Sequence, residues 1–313
     1  MTVPGGVRSR VLLPVLCLLA LVSCAPRDGT APPVPTTSPT PSAAPSVTPS
    51  PTPGAAATRL RFAAVGDIGD GSAAEAGVAA AIAAAHGEER LDALLLLGDL
   101  IYPKGDPAKY QGRFAEPYQP VLAAGIPLIS VLGNHDIMTD GAAIQRLFGM
   151  PAPYYTTVRG PVEFFVLDNS RGRVDPAQRA WLDEALGRSA SPWKVVVMHI
   201  PLFSSGELHG SSARLQASLQ DLLERHGVQL AIAGHDHNYE RTVVMGGVTY
   251  IVSGGGCCPR KAGRGPFTAA VAEGLHFVVF DAEGDVMRVR ALGLGGHVLD
   301  EAEISRRAPV PVP

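Results

Sequence analysis

The chain falls into stretches with different hydrophobic rhythms. Val11 to Val22 is apolar at every position except Pro14, whereas Ala25 to Thr58 has almost no large apolar side chain and no period. From Arg59 onward, short apolar runs recur, each closed by a glycine-rich or polar turn, which is the pattern of buried strands. They are Leu60–Val65, Leu94–Leu97, Leu128–Leu132, Glu163–Leu167, Lys194–Met198, Leu230–Ala233, Thr249–Val252, His276–Phe280 and Val286–Ala291. Three intervening segments read as helices. Ala73–Ala85 is alanine-rich, with Gly87 as its predicted stop. Asp175-Pro176-Ala177-Gln178 opens the second, with Gln178 placed to complete a capping box, and Trp181, Leu182, Ala185 and Leu186 follow at helical spacing. Ser211–His226 is the third, ended by Gly227. Early strands alternate with helices, and the last three strands follow one another through turns or a long loop. That mixture predicts sheets covered by helices, an α/β (α+β) domain.

Composition adds limits. A chain of 313 residues with 46% hydrophobic content can bury one large core or two small ones. Charged residues are 18% and the net charge is −3, which argues against a nucleic-acid partner held by a basic surface. Arg8 and Arg10 precede the first apolar run. That run is about a dozen residues, short of the ~20 that span a bilayer. It ends in Leu21-Val22-Ser23-Cys24, which resembles a bacterial lipobox. The resemblance implies a lipid on Cys24 and a protein anchored to the extracytoplasmic face of the cell membrane, or secreted if the lipobox is not used. The expected organisation is a signal segment over 1–24, a disordered Pro/Ser/Thr-rich linker over 25–58, the folded domain over 59–305 and a flexible tail over 306–313. A proline-rich linker rising about 3 Å per residue reaches up to ~100 Å. Within the domain only Cys257 and Cys258 remain, either as a disulfide between neighbours or as buried thiols. The sequence carries no signal for oligomeric state.

The chemistry gathers where strands end. Five strand ends carry Gly66-Asp67-Ile68-Gly69, Gly98-Asp99-Leu100-Ile101-Tyr102, Gly133-Asn134-His135-Asp136, Val196-Val197-Met198-His199 and Gly234-His235-Asp236-His237. Alone, each is ordinary: a Gly-Asp turn, a packing tyrosine, a core histidine. Together they send carboxylates, imidazoles, a phenol and an amide towards one sheet edge, where ligands bind in open α/β sheets. That donor set suits Fe, Mn or Zn rather than a soft thiolate-binding metal.

These five blocks resemble the calcineurin-like metallophosphoesterases, and within them the purple acid phosphatases, marked by GDxG, GDxxY, GNH[DE], VxxH and GHxH. Asn238-Tyr239-Glu240-Arg241 adds to the likeness, which covers roughly Arg59 to Ser305. The resemblance implies a four-layer α/β/β/α sandwich and a two-metal site. Asp67, Tyr102 and His237 hold the first metal, Asn134, His199 and His235 the second, and Asp99 bridges them. It also implies Fe(III) in the first position and Fe, Zn or Mn in the second. The expected reaction is hydrolysis of a phosphate ester by metal-bound hydroxide attacking phosphorus, with His135 protonating the leaving group. Asp136 either orients His135 or points away from it.

His209, in a Gly/Ser-rich loop, is a second candidate for substrate contact, with an exposed loop histidine as the equal alternative. His86 and His226 precede glycines at helix ends and read as capping residues, while His276 and His297 have no motif context. In Gly254–Lys261 the glycines permit close approach and Arg260 or Lys261 could meet an anion; a flexible surface loop is the plainer reading. The leading function is thus an exported phosphomonoesterase. The alternatives are a phosphodiesterase acting on nucleotide, phospholipid or cell-wall diesters, and a non-catalytic anchored binding protein.

Overall fold

A computed structural model describes residues 58–306. The expectations for the signal segment, Cys24, almost all of the linker and the tail from 307 lie outside the described residues. Among the described residues, no helix is long and apolar enough to cross a membrane.

Among the described residues, thirteen strands form two sheets. In the first, β1 (Arg59–Val65), β2 (Ala93–Leu96) and β3 (Leu128–Ser130) run parallel, and β11 (His276–Glu283), β12 (Val286–Gly293) and β13 (Val298–Ser305) extend the β1 side antiparallel. The second has a parallel centre of β5 (Val162–Val166), β6 (Trp193–Val197), β7 (Leu230–Ala233) and β9 (Thr249–Ser253). The strand β4 (Tyr155–Arg159) borders β5, and β8 (Tyr239–Thr242) and β10 (Thr268–Ala272) lie beyond β9.

Side-chain alternation in β1 explains the layers. Phe62 and Ala64 point between the sheets, with Phe62 stacked on Phe280 at 4.7 Å and edge-on to Phe164 of the opposite sheet at 5.1 Å. Ala63 and Val65 point outward, onto Val78 and Ile82 of α1 (Ala73–Glu88) and Val121 of α2 (Gln119–Ala123). On the far side, Phe165, Val196 and Ala231 meet Leu182 and Leu186 of α4 (Pro176–Arg188) and Leu215, Leu219 and Leu222 of α5 (Ala213–Arg225). The short α3 (Gly141–Leu147) adds Ile144 to the α1 side. The result is the four-layer α/β/β/α sandwich.

Several local expectations need correction. Gly87 does not end α1, which continues to Glu88, because the helix keeps its backbone bonds to Glu89 and nothing crowds Gly87. Asp175 caps α4 by accepting from Gln178 N–H at 2.8 Å. Gln178 does not complete the box; it reaches Asp168, accepting from its N–H and donating to its carbonyl, each at 2.9 Å. His86 accepts from Leu91 N–H rather than capping carbonyls. His226 is the C-cap of α5, as expected, with its N–H donating to the Leu222 carbonyl and its Nε2 pairing with Asp183 of α4 at 2.5 Å. The strands β4, β8, β10 and β13 carried no strong apolar run, and three of them are sheet edges, which need bury only one face.

His276 is fully buried below Gly255, with Nδ1–H donating to the Gly274 carbonyl at 2.9 Å and Nε2 unpartnered among the described residues. Burial lowers its pKa to about 4 from the ordinary 6.5. A depressed histidine pKa means that the unfolded chain takes the proton first, so stability is lost as pH falls from about 6.5 towards 4. The loss expected from this group is on the order of 3 kcal/mol. Denaturant titrations at pH 7 and pH 4 are expected to show a smaller pH effect in His276→Gln than in the parent; an equal effect contradicts this assignment.

Candidate metal centre

Each of the five blocks lies at the carboxyl end of a strand: β1, β2 and β3 of one sheet, β6 and β7 of the other. The two sheets' ends come close enough that only hydrogen fits at certain Cα atoms. A Cβ on Gly98, whose φ is +87°, would sit 2.5 Å from His199 Nδ1, and one on Gly234 would sit 2.6 Å from Asp67 Oδ2. Among the described residues, the non-glycine residues in the left-handed region are Asp67, Asp99 and His235, at φ of 58°, 52° and 71°. Such a backbone costs of order 1–3 kcal/mol each and persists only where surroundings enforce it. All three belong to the predicted site.

The donor atoms form two clusters. In the first, Tyr102 Oη lies 3.3 Å from Asp67 Oδ1, 2.9 Å from Asp99 Oδ2 and 3.2 Å from His237 Nε2, and His237 Nε2 is 3.4 Å from Asp67 Oδ1. In the second, His199 Nε2 lies 3.0 Å from Asn134 Oδ1, 3.2 Å from His235 Nδ1 and 3.4 Å from Asp99 Oδ1. Asp99 turns one oxygen to each cluster. All seven predicted ligand side chains are therefore brought together.

The chemistry of these donors fits cations. Donors bound ~2.1 Å from one ion and at right angles to each other lie about 3 Å apart, close to the spacings here. Two histidines are fixed in the tautomer a metal needs. His199 Nδ1–H donates to the Leu97 carbonyl at 2.8 Å and His237 Nδ1–H to the Cys258 carbonyl at 2.7 Å, leaving each Nε2 lone pair facing its cluster. Burial and neighbouring imidazoles push His235 down to about pKa 2, so it stays neutral. Burial, and then the charge of Asp99, holds Asp67 well above the carboxylate range; burial and both carboxylates raise Tyr102 in the same direction. Anionic donors crowded in this way call for positive charge between them.

Around this set lies a layer of backbone-holding carboxylates and amides. Asp136 does not orient His135. It is buried and accepts from Leu100 N–H at 2.8 Å, Ile101 N–H at 3.1 Å and Gly133 N–H at 2.8 Å, fastening the Asp99–Tyr102 turn to the Asn134 turn. Glu75 accepts from Gly69 N–H at 2.8 Å and Gly71 N–H at 2.6 Å and so holds the turn after Asp67. Asn169, absent from the sequence reading, accepts from the N–H groups of His199 and Ile200 and donates to the Ile200 carbonyl. Its only sequence signal is position: it follows β5 at the same sheet edge.

His135 Nδ1 donates to the Pro103 carbonyl at 2.6 Å, which leaves Nε2 facing Asp99 Oδ2 at 3.9 Å. His209 is exposed, but its ring stacks on His235 at 4.1 Å between centroids, at the rim of the second cluster. Cys257 and Cys258 form a disulfide, resolving the two alternatives for them.

Comparison with known proteins agrees with this geometry. A family model described as calcineurin-like phosphoesterase matches residues 60–239. The chain is 30% identical over 242 residues to tartrate-resistant acid phosphatase type 5 of Rattus norvegicus, covering 64% of this chain and 74% of that one. Among solved structures it is similar to GAP50, the anchor in the inner membrane complex of Plasmodium. That match has a TM-score of 0.70 and 20% identity, covering 80% of this chain and 90% of the other. It is also similar to purple acid phosphatase PPD1 from yellow lupin (Lupinus luteus) seeds, with a TM-score of 0.70 and 22% identity over 80% of this chain and 54% of that one.

Replacing one acceptor oxygen of Asp136 with an amide sets donor against donor. Asp136→Asn is expected to cost ~2–3 kcal/mol of stability and to reduce bound metal per chain. Denaturant unfolding with metal analysis of the purified variant checks both; unchanged stability and metal content contradict the fastening role.

Proposed function

The chain belongs to the calcineurin-like phosphoesterase family, and from that premise we propose that it hydrolyses phosphomonoesters at a two-metal centre on the outer side of the cell membrane. It is a hydrolase, purple acid phosphatase-like in its relatives, and its family implies a dinuclear centre acting on phosphate esters. The observation that carries the reading is the division of Asp99, one oxygen towards each cluster of donors.

In this reading Asp67, Tyr102 and His237 would hold the first cation, Asn134, His199 and His235 the second, and Asp99 would serve both. A ferric ion suits the first position, because the Tyr102 phenol gives up its proton only to a strong Lewis acid. When bound, the cations neutralise phosphate oxygens and ease deprotonation of the attacking water. The remaining work belongs to the chain. Leu97 and Cys258 keep His199 and His237 in the correct tautomer. The Pro103 carbonyl holds His135 Nδ1–H, so that Nε2 is the atom that carries a proton to the departing alkoxide. His209, stacked at the rim, is placed to meet the substrate. The full complement of donors favours catalysis over a binding role.

Turnover of a chromogenic phosphomonoester should exceed that of the matching diester, with iron, zinc or manganese supplied, and should fall at least ~100-fold in Asn134→Ala. A diester preference would move the function to the phosphodiesterase alternative. No turnover of either, with metals bound, would contradict the proposal.

The outer location is read from Leu21-Val22-Ser23-Cys24 after the apolar run. Cys24→Ala should release the protein from the membrane fraction of an expressing bacterium; a variant that stays membrane-bound to the same extent would sink the lipid-anchor reading.

A further inference from the structure

The segment after β9 is not a free loop. Gly256 N–H donates to the Gly66 carbonyl at 3.1 Å, and Arg260 N–H to the His237 carbonyl at 2.8 Å. The Cys258 carbonyl accepts from His237 Nδ1. Further on, Glu207 N–H donates to the Lys261 carbonyl at 3.3 Å, Gly206 and Ala262 form an antiparallel bridge, and Gly263 N–H donates to the Ser205 carbonyl at 2.8 Å. The segment is a strap that joins the His235–His237 turn to the loop carrying His209. This corrects the expectation of a flexible surface loop.

On that strap Arg260 and Lys261 are exposed, and neither has a carboxylate in ion-pair reach among the described residues. With Glu207 and Leu208 they line a shallow, open surface groove. Two of the residues that line the groove are tied to the metal centre through the chain. Arg260 is bonded through its backbone to His237, and Leu208 directly precedes His209, whose ring lies on His235.

We propose that Arg260 and Lys261 bind a second phosphate of the substrate, so that the preferred substrates are small sugar or nucleoside bisphosphates. This rests on the phosphomonoesterase reading of the centre. One phosphate ester sits at the cations and the other reaches across the groove. The strap's backbone bonds fix where the two side chains start, so binding has to order the side chains but not the chain that carries them. A guanidinium can grip a phosphate through two parallel N–H bonds, and an ammonium adds a point charge. Glu207 offsets one of the two cations, which suits one extra phosphate and disfavours a long polyanion such as a nucleic acid. Leu208, 61% exposed, offers an apolar wall to a base or sugar face.

The test uses the full chain and a matched pair, adenosine 3′,5′-bisphosphate and adenosine 5′-monophosphate. The ratio of kcat/KM, bisphosphate over monophosphate, is expected to be on the order of tenfold, as two partly exposed charge contacts allow. It should fall to near one in Arg260→Ala/Lys261→Ala and largely survive in Arg260→Lys/Lys261→Arg. A parent ratio near one, or a ratio unchanged in the double alanine variant, overturns the proposal. If neither compound is hydrolysed, the phosphomonoesterase reading fails separately, and calorimetric binding decides the subsite. Tighter bisphosphate binding that the alanine variant loses supports it; equal binding of the two compounds overturns it.

Discussion

Asp99 stands where the carboxyl ends of the two sheets meet, and the centre depends on its carboxylate facing both ways. Its backbone is left-handed, its Oδ2 accepts from Tyr102, and its Oδ1 accepts from His135 N–H and approaches His199. An acidic residue in that conformation, 2% exposed and beside Asp67, is unfavourable on backbone and electrostatic grounds alike. It is held because Gly98 and Gly133 let neighbouring chain pass within contact of it. A cation in each cluster would remove the electrostatic part of that penalty. The fold supplies rigidity, and the site spends some of it.

The holding layer explains how loops can be so exact without being strands. Asp136, Glu75 and Asn169 are side chains that behave as pieces of backbone, each accepting from two or three N–H groups of a metal-site turn. Asp236 has a related duty, accepting from Ser204 Oγ and Gly210 N–H and so tying the His209 loop to the last motif. Glu240 does the same for Ser205. Much of the acidic content of the motifs therefore positions backbone rather than touching substrate.

The legible part of the sequence was the part with a sharp physical signature. Continuous apolar runs marked the central strands of both sheets, because such strands are covered on both faces. The five motif blocks marked the seven donor side chains, because each strand end carries a donor and four of the five place a glycine directly before it. Edge strands were hidden: β13 is Val-Leu-Asp-Glu-Ala-Glu-Ile-Ser, with its apolar residues broken up by three acidic ones, and β10 is Thr-Ala-Ala-Val-Ala, so neither shows a strong buried run. Asn169 was hidden because one asparagine after a strand looks like any turn residue. The strap at Arg260 was misread because a glycine-rich loop shows its freedom in sequence, while the hydrogen bonds that remove that freedom come from residues far away in the chain.

The central claim is that one carboxylate serves two cations, and metal content per chain tests it most directly. The parent protein, loaded and desalted, should carry two ions. Asn134→Ala should keep the ion on the Asp67, Tyr102 and His237 side, whereas Asp99→Asn should hold neither tightly. An Asp99→Asn protein that is folded and retains both ions would contradict the account.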